Sequence, residues 1–248
     1  AMAQMLVEGG LIDNNLRQAV NTIEAAATNN CDIVVLPECL DVGWTHPSAR
    51  TEAQPIPGPT SQVISQAATD HHIYVVAGLT ERTDQHIYNA AILISPSGEI
   101  LLKHRKINVL DIARDIYSIG DTLSVAETEL GTIGLNICAD NFPSSLHFAR
   151  SLASMGADLL LSPCAWAVDA DHDNVKDPYG SLWLESYSTI STEYDITVIG
   201  VSNVGNITSG VWQGRKCIGC SLTVGPGAQV IAQAPYGVDA ETLEIVEV

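Results

Sequence analysis

The sequence predicts an α/β fold in which two mixed sheets stack face to face and helices cover their outer faces, a four-layer αββα sandwich. Two observations lead to this prediction. Short β-like apolar runs alternate with longer segments of helical period, and the second half of the chain repeats the order of the first. Alternation of this kind places helices on the faces of a mixed sheet. The 248 residues suit one large domain, and no linker or low-complexity stretch divides them, so we expect residues 1–248 to form a single domain.

The first half consists of alternating helices and strands. Between Asn14 and Thr28, apolar residues recur three and four positions apart, which predicts an amphipathic helix. The segment Asp32–Pro37 is a continuous β-branched run, typical of a strand that is buried on both faces. Further elements follow in the order helix, strand, strand, strand: Pro59–Asp70, Ile73–Leu79, Tyr88–Ile94 and Glu99–Lys103.

The second half shows the same alternation and closes with a hairpin. A strand, a helix, a strand, a helix and a strand are predicted in turn at Thr132–Cys138, Pro143–Met155, Asp158–Ser162, Tyr179–Tyr194 and Thr197–Ser202. The hairpin joins Cys217–Val224 to Gln229–Ala234 across Gly225-Pro226-Gly227, which has turn chemistry. The repeated order is what indicates two sheets rather than one.

Composition and charge exclude several classes of function. The chain is 46% hydrophobic and 16% charged, which excludes an intrinsically disordered protein, and its formal net charge is −18. This charge repels phosphate groups, so we expect neither nucleic acid nor a membrane as a partner. No apolar run approaches the ~20 residues of a membrane span, and no signal peptide is visible at the start.

The cysteines indicate a reducing compartment, hence a cytoplasmic protein, because six cysteines are too sparse for a disulfide scaffold at this length. Cys217 and Cys220 form a lone C-x-x-C pair with no nearby histidine, which does not suffice for zinc. The acidic run Asp169–Asp173 resembles the start of a calcium loop but lacks its glycine and its glutamate. We interpret this run as a solvated loop that borders the pocket, and we expect no metal and no cofactor.

Three segments place a reactive side chain just past a predicted strand, where sites of α/β proteins are built. Glu38 is either a solvated residue at a helix entry or, in a partly desolvated pocket, a general base. Lys106 ends a basic run that suits a solvated strand edge, yet a lysine near a reacting carbonyl stabilises an oxyanion. Cys138 is either a buried structural cysteine or a nucleophile whose pKa is lowered by the dipole of the helix that Pro143 opens.

Taken together, these segments resemble the motifs of the nitrilase superfamily of carbon–nitrogen hydrolases. The motifs are Leu36-Pro37-Glu38, Arg105-Lys106-Ile107 and Cys138-Ala139-Asp140. The resemblance implies the αββα fold, a homodimer or higher homo-oligomer, and acyl transfer from a small-molecule amide substrate through a cysteine thioester. It also implies a Glu-Lys-Cys triad with Cys138 as nucleophile and Glu38 as general base. Lys106 and the backbone N–H of Ala139 would then stabilise the tetrahedral intermediate.

Two departures from the family pattern bear on the substrate. Many amidases of the family have a second glutamate in the loop after the lysine, where this chain offers only Asp111 and Asp115. The resemblance implies that Asp115 lies in the substrate pocket. The nitrile-cleaving branch shows Cys-Trp-Glu, whereas this chain has alanine and aspartate after Cys138, which favours amides over nitriles. Trp166 and Trp44 are each either a pocket wall or simple packing.

The leading hypothesis from the sequence is therefore an amidase that acts on a small carboxamide and releases ammonia or an amine. The alternatives with the same triad are an N-carbamoyl-amine hydrolase and a nitrilase. An alternative of another class is a catalytically silent subunit that serves in protein interactions.

Overall fold

The computed structural model describes residues 1–248, which form five helices and fifteen strands. The helices are α1 Ile12–Thr28, α2 Ala49–Glu52, α3 Pro59–His71, α4 Leu146–Ser154 and α5 Ser181–Tyr194. The strands of a first sheet are β1 Met2–Gln4, β2 Ile33–Val35, β3 Tyr74–Arg82, β4 Ile87–Ile94, β5 Ile100–Arg105 and β15 Thr242–Glu244. Those of a second sheet are β6 Val125–Thr128, β7 Gly131–Leu135, β8 Leu159–Cys164, β10 Thr197–Ser202, β13 Leu222–Gly225 and β14 Gln229–Gln233. A small third sheet contains β9 Ala167–Val168, β11 Val204–Asn206 and β12 Lys216–Ile218.

The two large sheets have the same pattern of strand directions. The first sheet has the order β15-β1-β2-β3-β4-β5, and its neighbouring pairs are antiparallel, parallel, parallel, antiparallel and antiparallel. The second sheet, in the order β6-β7-β8-β10-β13-β14, repeats that series of directions. The repeat that the sequence predicted is thus present in the topology.

The hydrophobic core has two main parts, which establish the layers. One cluster packs α1 and α3 against the first sheet, with Ile23 and Ile64 from the helices against Val34 and Val75 from the strands. The larger cluster joins the facing sides of the two sheets and continues to α4 and α5 on the far side of the second sheet. The layers are therefore helices, sheet, sheet and helices, which confirms the predicted fold class. No helix is long and apolar enough to cross a membrane.

The structure differs from the sequence predictions at two places. The predicted strand Cys217–Val224 is divided between β12 and β13, which belong to different sheets, and the segment around Cys138 also differs. Strand β7 ends at Leu135 rather than at Cys138, and a 3-10 turn spans Cys138–Asn141. A second 3-10 turn occupies Pro143–Ser145, so α4 starts only at Leu146. Proline at the start of the second turn is in the position that suits its fixed φ, but an α-helix does not follow at once.

The topology brings three strand ends to one edge of the sandwich. Strands β2 and β3 are parallel, and β5 follows β3 through two antiparallel pairings, so β2 and β5 end at the same edge of the first sheet. Glu38 follows β2 and Lys106 follows β5, while Cys138 follows β7 in the second sheet. The backbone N–H of Glu38 donates to the carbonyl of Cys164 at 3.2 Å and so links the two sheets at this edge.

Candidate active site

The Glu38 carboxylate is buried, and its two oxygens have different surroundings. Its Oε1 accepts hydrogen bonds from Lys106 Nζ at 2.6 Å and from Asn89 Nδ2 at 2.5 Å. Its Oε2 is also buried but has no hydrogen-bond partner. One oxygen thus fixes the orientation of the carboxylate, and the other is free to exchange a proton.

Close packing behind Glu38 explains a glycine in β3. A Cβ atom at Gly78 would lie 2.6 Å from the Cα of Glu38, a distance at which the backbone would have to move. Strand β3 and the loop of Glu38 are also joined by backbone hydrogen bonds, from the Gly78 N–H to the Pro37 carbonyl at 3.1 Å and from the Leu40 N–H to the Gly78 carbonyl at 2.9 Å. Strand β3 therefore positions the loop that carries the carboxylate.

Lys106 is buried because it lies on the inward side of a basic run whose side chains alternate as in a strand. Lys103 and Arg105 point to the other side and form ion pairs with Glu81 at 2.6 Å each, whereas Lys106 pairs with Glu38. Burial lowers the pKa of Lys106, but its interactions with the acidic groups Glu38, Cys138 and Asp140 outweigh burial and raise the pKa above its ordinary value. The ammonium group thus remains charged at neutral pH.

Cys138 has a left-handed backbone conformation, with φ of +44°, which is uncommon for a residue other than glycine. Its N–H donates to Ser162 Oγ at 3.1 Å, and Ser162 Oγ also accepts a hydrogen bond from Asn141 Nδ2 at 3.0 Å. Because Ser162 belongs to β8, this strand fixes the position of the turn. The backbone N–H of Ala139 has no hydrogen-bond acceptor within the protein, so it can donate to a ligand.

The predicted lowering of the Cys138 pKa is wrong. The neighbouring Cys164 thiol, burial and the charge of Glu38 raise the pKa of Cys138 well above its ordinary value, and Lys106 offsets them only in part. The α-helix whose dipole was expected to favour the thiolate begins eight residues further on, at Leu146. The resting side chain is therefore a thiol that needs a base.

Asp140 connects the turn of Cys138 to the loop of Lys106. Its carboxylate is fully buried and accepts hydrogen bonds from the N–H groups of Ile137, Ile107 and Asn108 at 3.0, 3.1 and 2.7 Å. His104 Nε2 lies 2.9 Å from it as well. Burial raises the pKa of Asp140, but the hydrogen bond and charge of His104 and the charge of Lys106 together hold it below its ordinary value.

Glu38, Lys106 and Cys138 line one cavity of about 280 Å³, so the structure brings the three predicted residues together. Ala139, Trp44 and Trp166 line it as well, as predicted. Both tryptophans are also buried, which means that the two interpretations, pocket wall and packing, hold at once. The other aromatic, polar and acidic residues of the wall include Phe142, His172, Asp177, Tyr179, Trp183 and Trp212.

Asp115 was expected in the substrate pocket, and the structure does not place it there. Asp115 is exposed and does not line the cavity. Asp111 is exposed too and pairs with Arg114 at 3.1 Å. Both lie in or beside a 3-10 turn on the surface, so neither takes the place of the second family glutamate, and the cavity wall has Glu38 and Asp177 as its carboxylates.

Several residues of the site were not singled out from the sequence. Asn89 orients Glu38, and the signal for it was an amide in the otherwise apolar strand β4, where a buried polar group needs a partner. His104 belongs to a basic run in the sequence, but side chains alternate along a strand, so His104 points to the opposite side from Lys103 and Arg105. Trp183 and Trp212 gave no signal, because their contacts with the site arise from loops and a helix far along the chain.

The acidic run Asp169–Asp173 does border the cavity, through His172 within it. Asp169 pairs with Arg215 at 2.8 Å and Asp173 pairs with Lys176 at 3.1 Å. These carboxylates thus face protein cations at the surface.

Comparison with known proteins gives a consistent family. The family model described as carbon-nitrogen hydrolase matches residues 1–248. A protein named nitrilase from Pyrococcus abyssi is 31% identical over 229 residues, covering 90% of this chain and 79% of that protein. A protein named omega-amidase NIT2-B from Xenopus laevis is 32% identical over 176 residues, covering 67% of this chain and 63% of that protein. The chain thus spans less than two thirds of the length of that second relative.

Solved structures agree on the fold. Nit3 of Saccharomyces cerevisiae, described as a member of branch 10 of the nitrilase superfamily, has a TM-score of 0.80 at 25% identity, covering 95% of this chain and 85% of that one. A mutant of an amidase of the nitrilase superfamily from Nesterenkonia AN1 also has a TM-score of 0.80, at 20% identity and the same coverage.

Proposed function

The chain belongs to the carbon–nitrogen hydrolase family of the nitrilase superfamily, and from this premise we propose that it is an amidase that hydrolyses a small carboxamide through a cysteine thioester. The observation that carries the proposal is the arrangement of Glu38, Lys106 and Cys138 around one cavity. Their roles are those of base, oxyanion donor and nucleophile.

In the first half of the reaction, Glu38 accepts the proton of the Cys138 thiol, and the sulfur attacks the amide carbon. The unpartnered Oε2 of Glu38 supports this role, as does the raised pKa of Cys138, because such a thiol requires a base near neutral pH. Lys106 and the free N–H of Ala139 stabilise the oxyanion of the tetrahedral intermediate. Glu38 then returns the proton to the nitrogen, the C–N bond breaks, and ammonia or an amine leaves.

In the second half, a water molecule hydrolyses the thioester. Glu38 accepts a proton from the water, the hydroxide oxygen attacks the acyl carbon, and the carboxylic acid leaves as the proton returns to the sulfur of Cys138. The same two donors stabilise the second tetrahedral intermediate. No metal or cofactor takes part in this scheme.

The test is ammonia release from a panel of amides, N-carbamoyl amino acids and nitriles, with Cys138→Ala and Cys31→Ala as matched variants. Cys31 precedes β2 whereas Glu38 follows it, and Cys31 does not line the cavity. We expect amide turnover in the wild type and in Cys31→Ala, and none in Cys138→Ala. Mass spectrometry of a rapidly quenched reaction should find the acyl group on Cys138.

The panel also separates the alternatives. Turnover of nitriles alone, which the name of the Pyrococcus relative suggests for that protein, or of carbamoyl compounds alone, would replace the amidase with the corresponding enzyme. Absence of all turnover would favour the catalytically silent subunit.

We also propose that the protein works in the cytoplasm as a homodimer or larger homo-oligomer. Six free thiols support a reducing compartment. The exposed Leu184 on α5, which does not line the cavity, supports association of the outer helical layer. Sedimentation velocity of the wild type should give a mass above the 26.4 kDa of one chain, and Leu184→Glu should reduce it, whereas Leu11→Glu on the other helical layer should not. A monomeric wild type would contradict the proposal.

A further inference from the structure

All four tryptophans of the chain line the cavity that holds Cys138. Aromatic residues make up only 5% of the sequence, yet Trp44, Trp166, Trp183 and Trp212 are joined there by Phe142 and Tyr179. Such a concentration is not needed for the reaction at the thiol, since none of these rings belongs to the triad. It therefore bears on the part of the substrate that does not react.

The aromatic rings form two groups, and the rings are in contact within each group. Trp166 and Trp183 are stacked, with ring centroids 4.8 Å apart and an interplanar angle of 19°, and Phe142 lies 5.4 Å from Trp183. Trp44 and Trp212 are 4.5 Å apart and tilted. Aromatic pairs at these distances favour a further ring beside them over an aliphatic chain of equal area.

The charges around the cavity oppose an anionic substrate. Lys106 is the only lysine or arginine of the wall, and Glu38 already neutralises it. Asp177 lines the cavity from an exposed position, and the chain as a whole carries −18. A carboxylate on the acyl group would thus meet negative charge.

Two cations beside residues of the wall, Arg215 at Trp212 and Lys176 next to Asp177 in the chain, are already paired. Arg215 lies over the ring of Trp212, 4.4 Å from its centroid, and pairs with Asp169. Lys176 pairs with Asp173. The remaining basic side chain of the wall is His172, whose Nε2 is buried without a partner.

We propose that the acyl part of the substrate is an uncharged group bearing an aromatic ring, as in phenylacetamide, and that the cavity rejects amides that carry a carboxylate. The inference rests on the proposed amidase function and adds the substrate class. A cavity of about 280 Å³ is at the small end for ligand pockets and suits a single ring. The aromatic walls provide apolar contact area for the ring of the substrate, and the negative charge of Asp177 repels amides that carry a carboxylate.

The first experiment compares kcat/KM for phenylacetamide, acetamide and succinamate, the half-amide of a dicarboxylic acid. We expect phenylacetamide to exceed acetamide by at least about 10-fold, since ring burial is worth a few kcal/mol, and to exceed succinamate by at least about 100-fold. A higher kcat/KM for succinamate or acetamide than for phenylacetamide would overturn the inference and leave the proposed amidase intact.

A pair of variants tests the charge argument. Asp177→Lys places a cation at the cavity and should raise kcat/KM for succinamate relative to phenylacetamide by about 10-fold or more, equivalent to 1.4 kcal/mol. Asp171→Lys makes the same change of charge at an exposed position outside the wall and should leave the ratio unchanged. Equal effects of the two variants would contradict selection by Asp177.

A binding measurement distinguishes an error in the proposed substrate class from an error in the proposed reaction. Isothermal calorimetry with Cys138→Ala should detect phenylacetamide and not succinamate. If Cys138→Ala binds phenylacetamide selectively but the wild type hydrolyses no amide, the amidase function is contradicted and the selectivity of the cavity is supported. If the wild type hydrolyses amides but Cys138→Ala does not bind phenylacetamide selectively, the amidase function is supported and the proposed substrate class is contradicted.

Discussion

Among individual side chains, Glu38 has the most specific geometry, with one oxygen held by Lys106 and Asn89 and the other free. Glu38→Gln is nearly isosteric but cannot take up a proton, so we expect a folded protein whose kcat falls by about 10²–10⁴. Glu81→Gln is the matched control, because Glu81 is equally buried and also pairs with basic residues. That variant should lose stability and keep its kcat. A Glu38→Gln variant with wild-type turnover would remove Glu38 from the mechanism.

Lys103 and Lys106 lie three positions apart, so their side chains point to opposite sides of the chain, and only Lys106 reaches the cavity. Lys106→Met should lower kcat by about 10²–10³, the usual effect of removing one oxyanion donor. Lys103→Met removes an ion pair with Glu81 and a hydrogen bond to the carbonyl of Ile56, both outside the cavity, so kcat should stay near that of the wild type. Steady-state kinetics with the preferred amide tests both, and equal losses would contradict the assignment.

Among the turns and strands, the Asp140 carboxylate is the main connection between the Cys138 turn and the Lys106 loop. Asp140→Asn replaces a charged acceptor with an amide whose NH₂ group opposes backbone donors. We expect a loss of about 3–5 kcal/mol in the free energy of unfolding, as for other broken buried pairs. Asp158→Asn, at an exposed carboxylate that accepts one backbone N–H, should cost about 1 kcal/mol or less.

The pH dependence of that loss has a defined sign. The folded pKa of Asp140 lies below its ordinary 3.8, so its contribution is fully present above the unfolded pKa and is lost as the pH falls through the folded pKa. The difference between wild type and Asp140→Asn should therefore be constant above about pH 5 and shrink below about pH 4. Urea unfolding at a series of pH values measures it, and a difference that grows on acidification would contradict the role of the charge.

How far the elements could be predicted depended on their length. Strand β4 and helix α1 have runs long enough for a clear period, and both lie within two residues of their predicted bounds. Strands β9 and β11 have two and three residues and owe their pairing to tertiary contacts, so no periodicity marks them. For the site, motifs along the chain indicated Glu38, Lys106 and Cys138, whereas the pKa of Cys138 depends on neighbours from both sheets that no local pattern reveals.

For the protein as a whole, the dominant electrostatic feature is the net charge of −18 on 248 residues, which destabilises the compact state through self-repulsion. Salt reduces the range of that repulsion from about 10 Å at 0.1 M to about 3 Å at 1 M. We therefore expect the Tm to rise by at least about 2–4 °C between these concentrations of NaCl, equivalent to about 1 kcal/mol.

Differential scanning calorimetry at pH 7 measures the change, with tetramethylammonium chloride at the same ionic strength as the control. Screening predicts equal effects of the two salts, because it depends on ionic strength alone. A Tm that is flat or falls with salt would show that attractive ion pairs such as Arg150–Glu193 outweigh the repulsion.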